Sequence, residues 1–300
     1  MKLTFVTHVS LIAIIALVIF IYKLNEDDTS IEKRPRTGNL SYTRSVKEDA
    51  VISPGIIGLG MHRSGTSLLT GLLTKGCGYH VGDNLLNAHP TNPKGFYERT
   101  DVMFQDDLWL GSQNMAWHSS DKLFQYDPEI VLFEQNPWDE IIEKDIKLTD
   151  EEDKTYEHEM PGVRSLEFLT NRNNRPWLLK EPRLCITLPA WLDQLEVSSV
   201  RYPNDNIKAP SAILTYRHPV EVAESLHHRD NFPLSKGYLL WLIYNQRAIE
   251  NSAGLCRVYT SNFMINQDPF TEILRITKEL TEKCGVPPPP KEINHEVLDL

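Results

Sequence analysis

The sequence predicts an α/β fold in which helices wrap a central parallel sheet on both faces. Three observations predict it. From about residue 51 onward, short apolar runs alternate with helical patterns, which is how parallel strands with crossover helices read. A glycine-bracketed turn joins the first run to the first helix. Cationic side chains recur where the runs end.

Gly55–Gly60 ("GIIGLG") reads as a buried strand, and an amphipathic helix opens over Thr66–Thr74. "RPWLLKEPR" contains a second strand ending at Lys180, with a helix through "ITLPAWLDQL". "SAILTYRHP" is a third strand ending near Arg217, and "VEVAESLHHRD" continues as helix. "YLLWLIYNQRAIENS" is a strongly apolar helix whose Trp241, Tyr244 and Asn245 are expected in the core; the less favoured use of Trp241 is as an adenine platform. "CRVYT" is the last strand, and "PFTEILRITKELTEKC" closes the chain before the prolines at Pro287–Pro290. Arg63, Lys180 and Arg217 thereby fall at or just past strand C-termini, the edge where open α/β sheets bind ligands.

With 300 residues, 41% of them hydrophobic, the chain has ample material for a core. Its net charge of −10 argues against a protein that coats nucleic acid, whose footprint is basic. Residues 121–160 hold fourteen acids against four lysines, so this segment carries the whole imbalance and reads as a solvated acidic insertion. The remainder is near neutral and leaves Arg63, Lys180, Arg183, Arg217 and Arg229 for an anion. Cys77, Cys185, Cys256 and Cys284 stand far apart, outside any zinc-ligand spacing. Their pairing is open, and buried or free thiols are the expectation.

"TFVTHVSLIAIIALVIFIY" (Thr4–Tyr22) is nineteen residues with no charge other than that His8 can take. As a helix it is about 28 Å long, enough for a hydrocarbon core of about 27–30 Å. "FIYKLNEDD" offers no small-x-small cleavage site, so residues 1–24 read as an uncleaved transmembrane signal anchor rather than a signal peptide. Residues 25–50, polar and aperiodic, read as a stem, and 51–300 as the globular domain. Orientation is divided: Lys23, Lys33, Arg34 and Arg36 come after the span and favour a cytosolic domain. The sequon Asn39-Leu40-Ser41 favours a luminal one.

The loop "GMHRSGTS" (Gly60–Ser67) carries the chemistry. Its glycines have the spacing of a Walker A loop, but Thr66 follows Gly65 where that motif has its lysine, and the cation is Arg63, inside the loop. Backbone N–H groups, a helix N-terminus and the hydroxyls of Ser64, Thr66 and Ser67 suit a phosphate. The missing lysine, and the lack of a strand ending in a Walker B aspartate, speak against a β/γ-phosphate–Mg²⁺ site. A second element, "YRHPVEVAESL", sets Ser225 eight residues after Arg217, two helical turns on. An arginine fork and a helix-borne hydroxyl can both reach a phosphate monoester.

Together these stretches resemble the sulfotransferases: the loop is similar to their 5′-phosphosulfate loop, and Arg217 with Ser225 to their 3′-phosphate motif. "NPKGFYERTD" and "LLKEPRLCITLPAWL" resemble a mostly microbial branch, and the latter is also similar to the Lys-Asp-Pro stretch of tyrosylprotein sulfotransferases, with Glu181 where aspartate is commoner. The Arg-Lys-Gly-rich motif of the cytosolic branch is absent. The resemblance spans Gly55 to about Leu280. It implies a P-loop NTPase-like three-layer sandwich with a central parallel sheet. It also implies transfer of a sulfuryl group from 3′-phosphoadenosine 5′-phosphosulfate (PAPS) to a hydroxyl or amine, with no metal required. Arg63, Ser64, Gly65, Thr66 and Ser67 would hold the 5′-phosphate, and Arg217 and Ser225 the 3′-phosphate. Lys180 would be a second cation on the transferred group and Glu98 the catalytic base, with His62 and His118 in reserve.

A cation beside His62 is expected to depress its pKa and keep the ring neutral. The acceptor is open among glycans, protein tyrosine and small hydroxylated metabolites. An anchor with a stem points, by analogy, to a single-pass membrane protein of the Golgi or another secretory membrane with a luminal domain. Two other readings stand beside this one: a P-loop kinase or NTPase, and a catalytically silent, membrane-anchored binder of nucleotide or carbohydrate.

Overall fold

A computed structural model describes residues 53–90, 92–93, 95–127, 161–201 and 209–293. The predicted anchor and stem, and the acidic insertion from residue 128 on, lie outside the described residues. Among the described residues no helix is long and apolar enough to cross a membrane.

The predicted α/β class and three-layer arrangement are observed. Among the described residues four strands, β1 (Gly55–Leu59), β2 (Trp177–Lys180), β3 (Ser211–Tyr216) and β4 (Arg257–Ser261), pair in the order β2-β1-β3-β4, and every pairing is parallel. The helices are α1 (Thr66–Cys77), α2 (Thr100–Ser112), α3 (Pro161–Thr170), α4 (Leu184–Arg201) and α5 (Pro219–Asp230). They continue with α6 (Leu234–Asn251), α7 (Asn262–Gln267) and α8 (Pro269–Glu282).

Strand periodicity explains the layers. Successive side chains point to opposite faces, so Ile56, Leu178, Ile213 and Val258 enter one core with α1 and α8. Ile57, Leu59, Leu179, Ala212 and Leu214 enter the other, against α2, α4, α5 and α6. Trp109, Trp191 and Tyr244 fill the second core and are fully buried. The strands are apolar on both faces because both are covered. Fully burying such a side chain stabilises the fold by about 1.5–3 kcal/mol.

Each sheet edge is capped at one place. Beside β2, the His80 carbonyl accepts from Leu178 N–H at 2.8 Å, and His80 donates its own N–H to the Pro176 carbonyl. Beside β4, the Arg275 guanidinium donates to the Tyr259 carbonyl at 2.7 Å. A disulfide joins Cys256, at the start of β4, to Cys284, just past α8. This corrects the expectation of four unpaired thiols, since only Cys77 and Cys185 are free, and both are buried. The spacing of 28 residues gave no motif to recognise; it is the crossover from β4 through α8 that brings the two Cα atoms within 5.4 Å.

Candidate functional site

Because β1 lies between β2 and β3, the turns leaving the C-terminal ends of these three strands converge at one edge of the sheet. The turn after β1 is shaped by two left-handed residues, Arg63 (φ 71°) and Gly65 (φ 85°). A left-handed backbone at a non-glycine residue costs about 1–2 kcal/mol. Here the neighbours hold it: the Arg217 guanidinium donates to the Arg63 carbonyl at 3.3 Å, and Arg63 Nε donates to Ser225 Oγ at 2.8 Å. Gly65 caps α1 without any side-chain bond to its N–H groups, and Asn262 packs over it.

Around this turn lies a cavity of about 440 Å³. Its wall includes Arg63, Lys180, Arg183, Arg217 and Arg229, the same five cations the sequence left over for an anion, against the carboxylates of Glu98 and Asp230. Gly65, Thr66 and Ser67 supply the loop's share of the wall. Crowding has an electrostatic signature: burial, then Arg229 and Arg217, push the Arg63 guanidinium below its ordinary value. A bound anion would relieve that repulsion.

Lys180 is buried rather than on the surface. Its ammonium forms an ion pair with Glu98 and donates to Ser67 Oγ at 3.1 Å and the Phe96 carbonyl at 3.2 Å. The cation that the loop lacks in sequence thus arrives from β2. Glu98, the expected base, lines the cavity but is engaged by this pair.

The other predicted residues separate. Ser225 reaches the site through Arg63 rather than from the wall. The Ser64 hydroxyl is enclosed without a partner and is not on the wall, because the turn tucks it inward with its N–H on the Met61 carbonyl. His62 lines the cavity, its ring 4.5 Å from that of Trp117. Burial foremost, then Arg183, Arg229, Lys180 and Arg63, hold its pKa well below the usual imidazole value, so the ring is neutral. His118 instead contacts Lys236, at 3.4 Å, off the cavity wall. Trp241 packs against the core and donates its indole N–H to the Arg217 carbonyl at 2.9 Å; it does not line the cavity.

Sequence reasoning missed the carboxylates beneath the site. Asp106 accepts from Thr187 Oγ1 at 2.7 Å and from Trp191 Nε1 at 2.8 Å, and feels the charge of Glu181. Glu181 and Asp107 both pair with Arg183. Burial and then Glu181 raise the pKa of Asp106 well above the usual carboxylate range, and burial foremost raises that of Glu181 as well. The signal was available: Asp106 falls on the apolar stripe of Val102 and Trp109 along α2.

A carboxyl whose folded pKa is raised contributes stability that is complete below its unfolded value, about 4, and is lost as pH rises toward the folded value. Asp106→Asn mimics the protonated form and keeps a donor toward Glu181. The variant is expected to match or exceed the parent in unfolding free energy at pH 8 and to show a flatter pH dependence above pH 4 in urea titrations. A variant less stable than the parent at pH 8 would mean that Asp106 is ionised.

Among the described residues, no three His, Cys, Asp or Glu side chains come together as metal ligands would. No protein-family model, curated protein or solved structure matches the chain.

Proposed function

We propose that the chain is a sulfotransferase, moving a sulfuryl group from PAPS to a hydroxyl or amine of a glycan, protein or small-molecule acceptor. One observation carries this reading. The loop and the Arg217–Ser225 element, about 150 residues apart, meet at one cavity and share a bond, Arg63 Nε to Ser225 Oγ at 2.8 Å. An ordinary glycine-rich turn would not need a second, distant phosphate motif built into it.

In this reading the N–H groups of Gly65, Thr66 and Ser67, with Arg63, hold the 5′-phosphate, Arg217 binds the 3′-phosphate, and Ser225 orients Arg63 between them. Lys180 offers a second positive charge at Ser67. By analogy with phosphoryl transfer, catalysis is positioning plus stabilisation of charge at the leaving phosphate. Glu98 and His62 are the wall groups on which an acceptor proton could land. The disulfide supports an oxidising compartment and, with the sequon and the apolar N-terminus, a domain facing a secretory lumen.

The test is thermal unfolding of the full chain with the desulfated product PAP and, separately, with ATP–Mg²⁺. PAP at a hundredfold its dissociation constant is expected to add about 2.7 kcal/mol. Arg217→Ala should abolish most of this, because a hydrogen bond to a charged group contributes about 1.5–3 kcal/mol. Stabilisation by ATP–Mg²⁺ alone would replace this reading with a kinase or NTPase. PAP binding without turnover would leave a silent binder.

A further inference from the structure

We infer that the cavity holds a third anion subsite, at Arg229 beside Trp117, and that the acceptor is a hydroxylated ring carrying its own carboxylate; this rests on the transferase reading above. The five wall cations are not equivalent. Arg63 and Arg217 serve the two donor phosphates in that reading. Lys180 is committed to Glu98, and Arg183 to Glu181 and Asp107. Arg229 is left. Only its Nε is engaged, donating to both carboxylate oxygens of Asp230 at 3.0 and 2.8 Å. Among the described residues its two terminal nitrogens have no hydrogen-bond partner, and neither is enclosed. Paired N–H donors at the end of a planar fork are what a carboxylate takes. Asp230 does not cancel the subsite, because the wall carries five cations against two carboxylates.

Position separates this fork from the donor phosphates. Arg229 follows Ser225 by four residues, one turn further along the same face of α5. About 15 Å of helix axis lies between it and Pro219, where α5 starts beside Arg217. The guanidinium lies over the Trp117 ring, 5.3 Å from its centroid. Trp117 is itself held: its carbonyl accepts from the Tyr244 hydroxyl at 2.6 Å, and its ring is 4.5 Å from that of His62. An arginine stacked on an aromatic face keeps its in-plane N–H groups available, so the stack orients the fork without using it up.

Sheet order leaves the acceptor the β2 side. β1 lies between β2 and β3, so a donor held by the loop after β1 and by Arg217 after β3 does not occupy the end of β2. There Pro182 follows the strand, the Phe96 carbonyl accepts from Lys180 Nζ at 3.2 Å, and Leu86 donates its N–H to the Glu98 carbonyl at 2.7 Å. All three line the cavity. Apolar side chains there, with Trp117 and the Arg229 fork on the same wall, suit a ring that is apolar on its faces and anionic at one edge.

The experiment is isothermal titration calorimetry on the full chain saturated with PAP, which fills the donor subsites and leaves only the third. The probes are two isosteric pairs that differ in charge: 4-hydroxybenzoate against 4-hydroxybenzamide, and glucuronate against glucuronamide. At least one carboxylate is expected to bind about tenfold or more tightly than its amide, and the pair that discriminates identifies the ring as aromatic or sugar. Arg229→Gln should bring that ratio to within about twofold of one while keeping the stabilisation by PAP. Arg229→Lys should restore only part of the ratio, because an ammonium cannot make the paired bonds. Equal binding of acid and amide in both pairs, or binding of neither acid, would overturn the inference. So would loss of PAP stabilisation in Arg229→Gln, which would place Arg229 in the donor site. A parent that PAP does not stabilise would overturn the transferase reading itself, and the inference with it.

Discussion

Lys180→Ala is expected to destabilise the protein by about 3–5 kcal/mol, because it leaves the Glu98 carboxylate buried and unpaired. Lys180 is 2% exposed and Glu98 6%, so water cannot replace the lost partner. The Ser67 hydroxyl and the Phe96 carbonyl lose a donor in the same step. Urea unfolding measures the effect. The informative companion is the double variant Lys180→Met/Glu98→Leu, which removes both charges and should recover most of the stability, since apolar replacement of a whole buried pair is often neutral. Stabilisation by PAP should stay weakened in the double variant, because its cavity wall has lost a cation. A single variant costing under about 1 kcal/mol would place both groups in effective contact with solvent.

Gly60→Ala is the second large effect. A Cβ there would lie 2.5 Å from the Thr215 carbonyl oxygen and 2.7 Å from Thr66 Cγ2. The first of these is backbone of the neighbouring strand and cannot step aside as a side-chain tip could. Overpacking costs about 1–3 kcal/mol, and a clash with a paired strand belongs at the upper end, about 3 kcal/mol. The loop should be displaced as well, so stabilisation by PAP should vanish. Gly111→Ala is the control: its Cβ meets nothing within 4 Å, and alanine suits a helix better by up to about 1 kcal/mol. Equal effects at the two sites would refute the packing account.

The fold class, the four strands and the convergence of Arg63, Lys180 and Arg217 were legible in sequence. They depend on local signals: apolar runs of strand length, a glycine-bracketed turn, and the rule that ligands gather at strand ends. α2 was not recognised, because "TDVMFQDDLWLGS" mixes acids into its apolar stripe and blurs the helical period. The partners of Lys180 and Glu98 were beyond reach for a different reason. Two residues 82 apart are joined only by the β2-β1 pairing and the path of the chain ahead of α2, and no local pattern encodes that contact. Ser64 failed in the opposite way: its type and spacing fit a phosphate donor, while the left-handed turn at Arg63 and Gly65 turns its hydroxyl inward.

The capped places on the sheet edges bear on how the molecule behaves among its own copies. A parallel sheet of four strands has two borders at which another chain could add a strand, and such borders template aggregation. His80 occupies the border at β2 with main-chain bonds, while at β4 the Arg275 guanidinium takes the Tyr259 carbonyl and the disulfide pins the strand's entrance to the end of α8. At those positions another copy finds its hydrogen-bonding groups already taken. Reducing Cys256–Cys284 is expected to free the entrance of β4 and to raise strand-by-strand self-association, which light scattering with and without reductant would measure.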